Sequence, residues 1–273
     1  MDRLLSDDEF DRFRGIINAE SGIHFSSSNR SILDSRLRER LRTSGLDSVR
    51  EYHKLITSDR TELKILLDSV TTNLTRFFRN SSHFAALEAD VIPDIVAHKP
   101  ESGSNTVRVW SAGCSTGEEA YSIAILLDKI LPSGLSFEIT ASDLSLKSLM
   151  TPREGFYPET RMNGVSKEDH ERYFSKRDNG FLVADSLKAK TKFDYHNLKF
   201  DSGFRDLDLI LCRNVIIYFD DDGKKAVIQK FWTSLNDHSY LLIGHSESLF
   251  GMDVQFQFEK TDRATFYVKR VEG

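Results

Sequence analysis

The stretch VRVWSAGCSTGEEAYSIAILL, residues 107–127, decides the fold predicted for this chain. Its β-branched start predicts a strand, the run SAGCSTG predicts a tight turn, and the apolar spacing that follows predicts a helix. Strand, turn and helix in this order are typical of the first crossover of a nucleoside-binding α/β sheet. The glycine spacing is nevertheless not G-x-G-x-x-G. Glu118 and Glu119 also begin the helix, where a bound pyrophosphate needs a helix N-terminus free of negative charge.

An acidic residue further along indicates which ligand the loop holds. Asp143 closes the predicted strand FEITASD, where a carboxylate can accept hydrogen bonds from both hydroxyls of a ribose. Two glutamates at a helix start repel a phosphate but suit a cation. A nucleoside that carries a sulfonium and an ammonium group instead of phosphates is S-adenosylmethionine. Each observation alone has a plainer explanation, since acidic residues favour any helix N-terminus; together with the order of strands they predict a methyltransferase.

Residues 106–273 alternate between predicted strands and helices, which is typical of a doubly wound α/β sheet. The last stretch, FQFEKTDRATFYVKR, predicts an antiparallel hairpin. Between about residues 156 and 198, the strand patterns FLVA and KFDYH without a crossover helix indicate an inserted β-subdomain. The predicted fold class is therefore α/β, a class I S-adenosylmethionine-dependent methyltransferase with a Rossmann-like doubly wound sheet, a terminal antiparallel hairpin and a small β insertion.

The part of the chain before this sheet is predicted to be helical. Residues 1–80 have amphipathic spacings that predict an N-terminal all-α domain, with helix ends at Gly22 and Gly45. Residues 81–105 are predicted to hold a further helix and then a linker, because the segment KPESGSN (99–105) has linker composition.

Composition excludes several classes of protein. Of the 273 residues, 29% are charged and 39% hydrophobic, the balance of an ordinary soluble protein. The chain lacks the run of about 18 apolar residues that a membrane span needs, and its acidic beginning argues against a signal peptide. Cys114 and Cys212 lie far apart without metal-ligand spacing, so we expect free thiols, no metal and a cytoplasmic location. The net charge of −5 argues against a nucleic-acid partner.

The segment LDLILCRNVIIYFD, residues 207–220, predicts a buried parallel strand that ends in polar residues. Arg213 and Asn214 follow that strand directly and are expected at the same edge of the sheet as Asp143. Tyr218 is a candidate for the pocket of the methyl acceptor; the alternative is an aromatic side chain packed in the core.

Four segments in this order, TNLTRFFR, WSAGCSTGEEAYSIA, CRNVIIYF and GHSESL, resemble the chemotaxis receptor glutamate methyltransferases, the CheR family. The resemblance extends over essentially the whole chain. It implies S-adenosyl-L-methionine as cofactor, S-adenosyl-L-homocysteine as product, and methylation of glutamate side chains on the cytoplasmic helical domain of methyl-accepting chemoreceptors. It also implies a monomer without direct membrane insertion, whose residues 1–80 recognise the receptor.

The resemblance further implies which residues form the site. Arg79 and Tyr218 are expected to be catalytic and to face the transferred methyl group. The expected cofactor contacts are Asn73, Thr75, Arg79, Gly113, Glu118, Asp143, Asn197, Leu198, Arg213 and Asn214. Relatives often have alanine at the positions of Gly113 and Cys114, which are small enough to preserve the pocket. His245 and Glu247 in GHSESL are expected to structure a loop rather than to act as an acid–base pair.

Few catalytic groups are expected, because a glutamate acceptor is ionised near neutral pH, with a pKa of about 4.3. The leaving group is a neutral thioether, so no general base is required. The task of the protein is to align the acceptor oxygen, the methyl carbon and the sulfur. Arg79 is the expected clamp on a carboxylate, either that of the acceptor or that of the cofactor.

The second predicted helix carries a set of arginines that could bind the substrate: Arg36, Arg38, Arg40 and Arg42. A solvated helix face whose arginine stems cover apolar surface is the open alternative. The family resemblance favours substrate binding, because receptor methylation segments are glutamate-rich helices that a basic helix can steer.

In the inserted subdomain, the turn in FSKRDNGFLVADS is short and has the single glycine Gly180. Family members that bind a pentapeptide at the receptor C-terminus have a glycine-rich extension there, so we expect methylation that does not depend on this tether. The alternatives that remain open are another S-adenosylmethionine-dependent methyltransferase, acting on RNA or a small molecule, and a cofactor-sensing regulatory domain without transfer.

Overall fold

The computed structural model describes residues 3–71 and 73–270. Its N-terminal part is a helical bundle in which Ser6 caps the first helix, since the Ser6 side chain accepts from the Glu9 amide and the Glu9 carboxylate accepts from the Ser6 amide. Gly22 and Gly45 end two of the helices in the left-handed conformation, as predicted. The bundle consists of α1 (Asp7–Ser21), α2 (Arg30–Ser44), α3 (Val49–Ser58) and α4 (Arg60–Val70).

The predicted linker at 99–102 is wrong. The chain from residue 81 onward is helical to Ser102, as α5 (Ser81–Ala86), a π-helical turn (Leu87–Val91) and α6 (Ile92–Ser102). The reason is a tertiary contact that composition does not reveal. The Lys99 ammonium is buried and lies 2.6 Å from the carboxylate of Asp208, at the beginning of a central strand. This ion pair fixes the end of α6 against the sheet.

The main sheet has the strand order β6-β2-β1-β7-β8-β10-β9. Strands β6 to β8 in this order run parallel, and β10 and β9 form the predicted antiparallel hairpin. The chain order reverses between β1 and β7, so a crevice opens at the carboxyl ends of these two strands. The strands are β1 (Thr106–Ala112), β2 (Ser136–Asp143), β6 (Thr191–Tyr195), β7 (Leu207–Cys212), β8 (Leu235–Ile243), β9 (Gln257–Lys260) and β10 (Thr265–Lys269).

Both faces of this sheet are covered by apolar packing. Val109 of β1 belongs to a core shared with α5, α6 and α7 (Glu118–Ile130), whereas its neighbour Trp110 belongs to a core shared with α11 (Asp221–Ser234). Alternate residues of one strand therefore enter opposite cores, as a doubly wound sheet requires. A further helix, α8 (Leu146–Glu154), follows β2.

An inserted subdomain separates β2 from β6. Its antiparallel sheet has the order β3-β5-β4, formed by β3 (Phe156–Pro158), β4 (Phe174–Arg177) and β5 (Gly180–Val183), with α9 (Lys167–Tyr173) and α10 (Asp185–Ala189) beside them. The prediction that the segment KFDYH belongs to this insertion is wrong. Its residues 192–195 lie in β6, which pairs in parallel with β2 and completes the edge of the main sheet. Strand propensity alone does not show which sheet a strand joins.

None of the helices within residues 3–71 and 73–270 combines the length and the apolar character needed to cross a bilayer.

Candidate active site

A cavity lies at the carboxyl ends of β1, β2 and β7, beneath the helical bundle. Sequence reasoning predicted many of the residues that line it, and the structure brings these together: Asn73, Thr75, Arg79, Gly113, Asp143, Asn197, Leu198, Arg213, Asn214 and Tyr218. The remaining lining includes an apolar set that the sequence did not single out: Ile23, Val70, Leu74, Leu144, Val215 and Phe219. The cavity is thus part apolar and part polar.

Asp143 is held in place by backbone amides. One carboxylate oxygen accepts from the Ser115 amide at 2.7 Å, and the other accepts from the Ser145 amide at 2.8 Å. Each oxygen has a second lone pair that can accept from a ligand hydroxyl. Burial raises the pKa of Asp143 above its ordinary value, although the bonds from Ser145 and Ser115 oppose the shift.

The two glutamates at the start of α7 point in different directions, and the structure changes the prediction for Glu118. Glu118 is fully buried beneath the loop, bonded to Thr116 and Arg161, and is not part of the cavity lining. Its neighbour Glu119 lines the cavity instead. Successive helical residues differ by about 100° in direction, so only one of two adjacent carboxylates can face the ligand. We therefore replace Glu118 by Glu119 as the candidate cofactor contact.

Glu119 belongs to a buried network that joins three segments of the cavity wall. Its carboxylate accepts from the Ser111 hydroxyl at 2.7 Å and from the Arg213 guanidinium at 3.1 Å. Arg213, whose side chain is 3% exposed, also donates to the carbonyl oxygen of Arg79. Burial lowers the pKa of Arg213, while the charge of Glu119 opposes that shift. The strand end, the helix start and the segment at 73–79 are therefore tied together.

The loop after β7 carries Asn214 and Tyr218 and is fixed by Glu247. The Glu247 carboxylate accepts from the amides of Asn214 at 2.8 Å, Gly244 at 2.5 Å and Ile217 at 3.2 Å. These bonds confirm the predicted loop-structuring role of Glu247. Tyr218 is half-buried at the end of a short 3₁₀ turn and faces the cavity.

The helical bundle forms one wall of the cavity. The Asn197 side-chain amide donates to the Glu20 carbonyl at 2.8 Å, and the His24 amide donates to the Tyr218 carbonyl at 2.7 Å. Gly22 has φ +79°, and a Cβ at this position would lie 2.6 Å from the ring of Phe219. The end of α1 and the residues just after it thus contact both the loop that follows β6 and the loop that follows β7.

Comparison with known proteins places the chain in a family. The description "CheR methyltransferase, SAM binding domain" matches residues 73–265, and "CheR methyltransferase, all-alpha domain" matches residues 8–71. The chain belongs to the CheR methyltransferase family. It is 35% identical to a chemotaxis protein methyltransferase of Borreliella burgdorferi over 90% of each chain. It is 31% identical to chemotaxis protein methyltransferase 2 of Vibrio cholerae, over 99% of this chain and 96% of that protein.

As a CheR-family methyltransferase, the protein uses S-adenosylmethionine, and the cavity fits this cofactor. Asp143 offers fixed acceptors for ribose hydroxyls, and the Glu119 carboxylate offers a negative group for the cationic end of the molecule. Apolar side chains such as Leu144 and Leu198 suit a purine ring. Within the described part of the chain, no group of three or more His, Cys, Asp or Glu side chains is arranged to hold a metal ion.

The CheR-family helix α2 carries the predicted substrate arginines, and the structure separates them. Arg40 donates to both carboxylate oxygens of Glu62, at 2.8 to 3.0 Å, and the Tyr52 hydroxyl donates to the same carboxylate at 2.7 Å. Its predicted substrate contact is therefore replaced by a role inside the bundle. Arg38 and Arg42 are exposed, and Arg36 is half-buried with a distant ion pair to Glu39 at 4.0 Å. These three remain candidates for substrate binding.

Only some of the cavity residues that the sequence analysis missed have a signal in the sequence. Ser115 follows Gly113 by two positions, and its amide holds Asp143, but a backbone donor has no sequence signal. His196 lines the cavity and directly precedes Asn197, so the segment that predicted Asn197 as a cofactor contact could also have predicted His196. Glu119 could have been chosen over Glu118 only by knowing the rotation of α7 relative to the sheet.

Gly113 lies where a side chain meets a neighbour. It has φ +81°, and a Cβ would lie 2.4 Å from a methyl group of Val215. Although alanine was expected to fit at this position, the contact with Val215 leads us to expect that Gly113→Ala destabilises this protein by about 1–3 kcal/mol and weakens cofactor binding, through backbone strain and overpacking. Urea unfolding and calorimetric titration with S-adenosylhomocysteine measure the two effects.

Gly203 provides the matched control for this substitution. It has φ +73°, but a Cβ at this position would have no neighbouring atom within 4 Å, so Gly203→Ala reports backbone strain alone. The double variant Gly113→Ala/Val215→Ala should recover the steric part of the loss. Equal destabilisation by the two single glycine variants would contradict the steric argument.

Proposed function

We propose that this protein methylates glutamate side chains on the cytoplasmic helical domain of methyl-accepting chemoreceptors. The observation that carries the proposal is a set of hydrogen-bond donors along the cavity, from Arg79, Asn214 and Tyr218. A guanidinium, an amide and a phenol can all donate to a carboxylate. The names of the relatives, chemotaxis protein methyltransferases, support the same acceptor class.

The chemistry requires alignment rather than proton transfer. The bound cofactor supplies a methyl group on a positively charged sulfur, which a carboxylate oxygen can displace. The residues of the protein hold the acceptor carboxylate and exclude water around it. Arg79 donates to the Leu74 carbonyl at 2.7 Å, which fixes the guanidinium at the cavity wall. A fixed guanidinium can orient a carboxylate through its planar fork without taking its place as nucleophile.

Transfer of a labelled methyl group from S-adenosylmethionine to receptor cytoplasmic fragments tests the proposal. We expect label on glutamates that alkali releases as methanol, because methyl esters hydrolyse and N-methyl groups do not. A receptor fragment with its acceptor glutamates replaced by alanine is the matched control. Transfer to RNA or to a small molecule with none to the receptor would overturn the proposal, as would cofactor binding without any transfer.

Arg79→Ala is expected to lower kcat roughly 10- to 100-fold while leaving the thermal midpoint close to that of the parent. The side chain is half-buried and makes its described bond to a local carbonyl, so its removal opens no large cavity. Methylation rates and circular dichroism give the two readouts, and Arg79→Lys separates charge from fork geometry. An unfolded Arg79→Ala protein would mean that the residue is structural.

We further propose that methylation proceeds without a pentapeptide tether. Arg177 pairs with Gly180 across the β4–β5 hairpin, so Asp178 and Asn179 form a short turn, with Asp178 at φ +42°. This leaves no glycine-rich extension of the turn. Receptor fragments with and without their last five residues should be methylated at rates within about twofold. A tenfold slower rate for the truncated fragment would contradict the proposal.

A further inference from the structure

The buried carboxylate of Glu118 lies directly behind the loop that lines the cofactor cavity. It is 0% exposed, although it begins a helix at the edge of the sheet. One oxygen accepts from the Thr116 hydroxyl at 2.7 Å, and the other lies 2.9 Å from the Arg161 guanidinium. A buried carboxylate is costly unless a cation and hydrogen bonds compensate it. The contacts of Glu118 therefore bear on how the loop is held.

The compensating cation comes from the inserted subdomain. Arg161 ends a 3₁₀ turn that follows β3, and the same nitrogen that contacts Glu118 also donates to the Thr116 hydroxyl at 2.7 Å. Its side chain is 43% exposed, so it reaches in from the surface. Arg161 thus joins a surface turn of the subdomain to two residues of the cofactor loop.

Tyr157 of the subdomain and Pro152 of α8 also pack against this loop. The Tyr157 hydroxyl donates to the Thr116 carbonyl at 2.7 Å. Gly117 has φ +84°, and a Cβ there would lie 2.3 Å from Pro152 and 3.0 Å from the Tyr157 hydroxyl. The loop is therefore confined on its rear side, while Gly113, Ser115 and Glu119 face the cavity on its front side.

We propose that Arg161 is a positioning residue for the cofactor, acting through Glu118 and Thr116. Without the guanidinium, the Glu118 carboxylate is left buried beside a hydroxyl and must draw in water or shift towards solvent. Glu119 is the next residue of the same helix, so a shift at Glu118 displaces the carboxylate that faces the cavity. The inserted subdomain thereby contributes to cofactor affinity without touching the cofactor.

Calorimetric titration of the full chain with S-adenosylhomocysteine tests the proposal. We expect Arg161→Ala to raise Kd about tenfold, the effect of one charge-assisted hydrogen bond. The KM for S-adenosylmethionine should rise in parallel while kcat at saturation stays within about twofold, because the residue does not act on the transferred group. Arg161→Lys should restore most of the affinity.

Arg172→Ala is the matched control within the same subdomain. Arg172 is 57% exposed and lies 3.2 Å from Asp128, in the last turn of α7 and so at the other end of the helix from the loop. We expect its replacement to leave Kd within about twofold of the parent value. Equal weakening by both variants would show a general loss of subdomain packing and overturn the specific role of Arg161.

A double-mutant cycle with Glu118→Gln tests whether Arg161 acts on cofactor binding through Glu118. Once the carboxylate is neutral, removal of Arg161 should raise Kd much less than in the parent background. Additive effects, or an unchanged Kd in Arg161→Ala, would overturn the proposal. Should Arg161→Ala not fold, Arg161→Met keeps most of the apolar stem but neither the donor nor the charge, and an unchanged Kd in that variant has the same meaning.

Discussion

Asp143→Ala is expected to raise the Kd for S-adenosylmethionine more than 100-fold. The substitution removes the acceptors proposed for the ribose hydroxyls, and it also leaves the amides of Ser115 and Ser145 without their partner. Each unpaired buried amide costs about 1–3 kcal/mol, so the loop that carries Ser115 loses its conformation together with the ligand contact. Calorimetric titration with the cofactor and with S-adenosylhomocysteine measures the loss.

Asp143→Asn tests whether the loss comes from the carboxylate itself or from the size of the side chain. An asparagine keeps the size of the side chain, but its NH₂ group must face one of two amide donors. We expect a loss nearly as large as in the alanine variant, with a smaller effect on thermal stability. Micromolar binding by both variants would remove Asp143 from the cofactor site.

The same carboxylate predicts a pH dependence. Burial raises the pKa of Asp143, so it takes up a proton at a higher pH than an ordinary aspartate does. The neutral form accepts hydrogen bonds less well than the carboxylate, so affinity for S-adenosylhomocysteine should fall as the pH is lowered, and the fall should begin at a higher pH than an ordinary aspartate would give. The asparagine variant should lack this pH dependence.

Arg40→Met is expected to destabilise the protein by about 3 kcal/mol, because it leaves the Glu62 carboxylate buried without its cation. Glu62 is 10% exposed and Arg40 16% exposed on their side chains, and the Tyr52 hydroxyl donates to the same carboxylate. Burial, together with the bond to Glu62, raises the pKa of Tyr52, so the phenol stays a donor. Urea unfolding of the full chain measures the change.

Arg42→Ala on the same helix is the control for this prediction. Arg42 is exposed, so its removal should change stability by less than about 0.5 kcal/mol. It should nevertheless slow receptor methylation if the exposed face of α2 meets the receptor. A stable Arg40→Met protein that has lost only receptor methylation would instead support the predicted role of Arg40 in substrate binding.

The sequence predicted those parts of the fold that depend on local pattern and on strand order. The strand, turn and helix at 107–127 form β1, the loop and α7, and Asp143 ends β2 beside them. These positions follow from the alternation of strands and helices, which determines where the carboxyl ends meet. Pattern was therefore sufficient to locate the site.

The errors have a different origin. The end of α6 depends on Lys99 reaching Asp208 in a distant strand, and the place of KFDYH depends on pairing with β2. The choice between Glu118 and Glu119 depends on the rotation of α7, which directs Glu118 towards Arg161 of the inserted subdomain. All three are tertiary contacts between distant segments, which a local window of sequence does not contain.

The contact between the end of α1 and the sheet domain limits how the helical bundle can be exchanged between relatives. The matched all-alpha domain ends at residue 71 and the matched SAM-binding domain begins at residue 73. This junction suggests that the helical bundle could be replaced by that of a relative. The cavity wall, however, crosses the junction through Gly22 against Phe219 and Glu20 against Asn197. A bundle grafted from another CheR protein would need loops after β6 and β7 from the same donor. The helical bundle and the enclosure of the cofactor cavity therefore depend on each other.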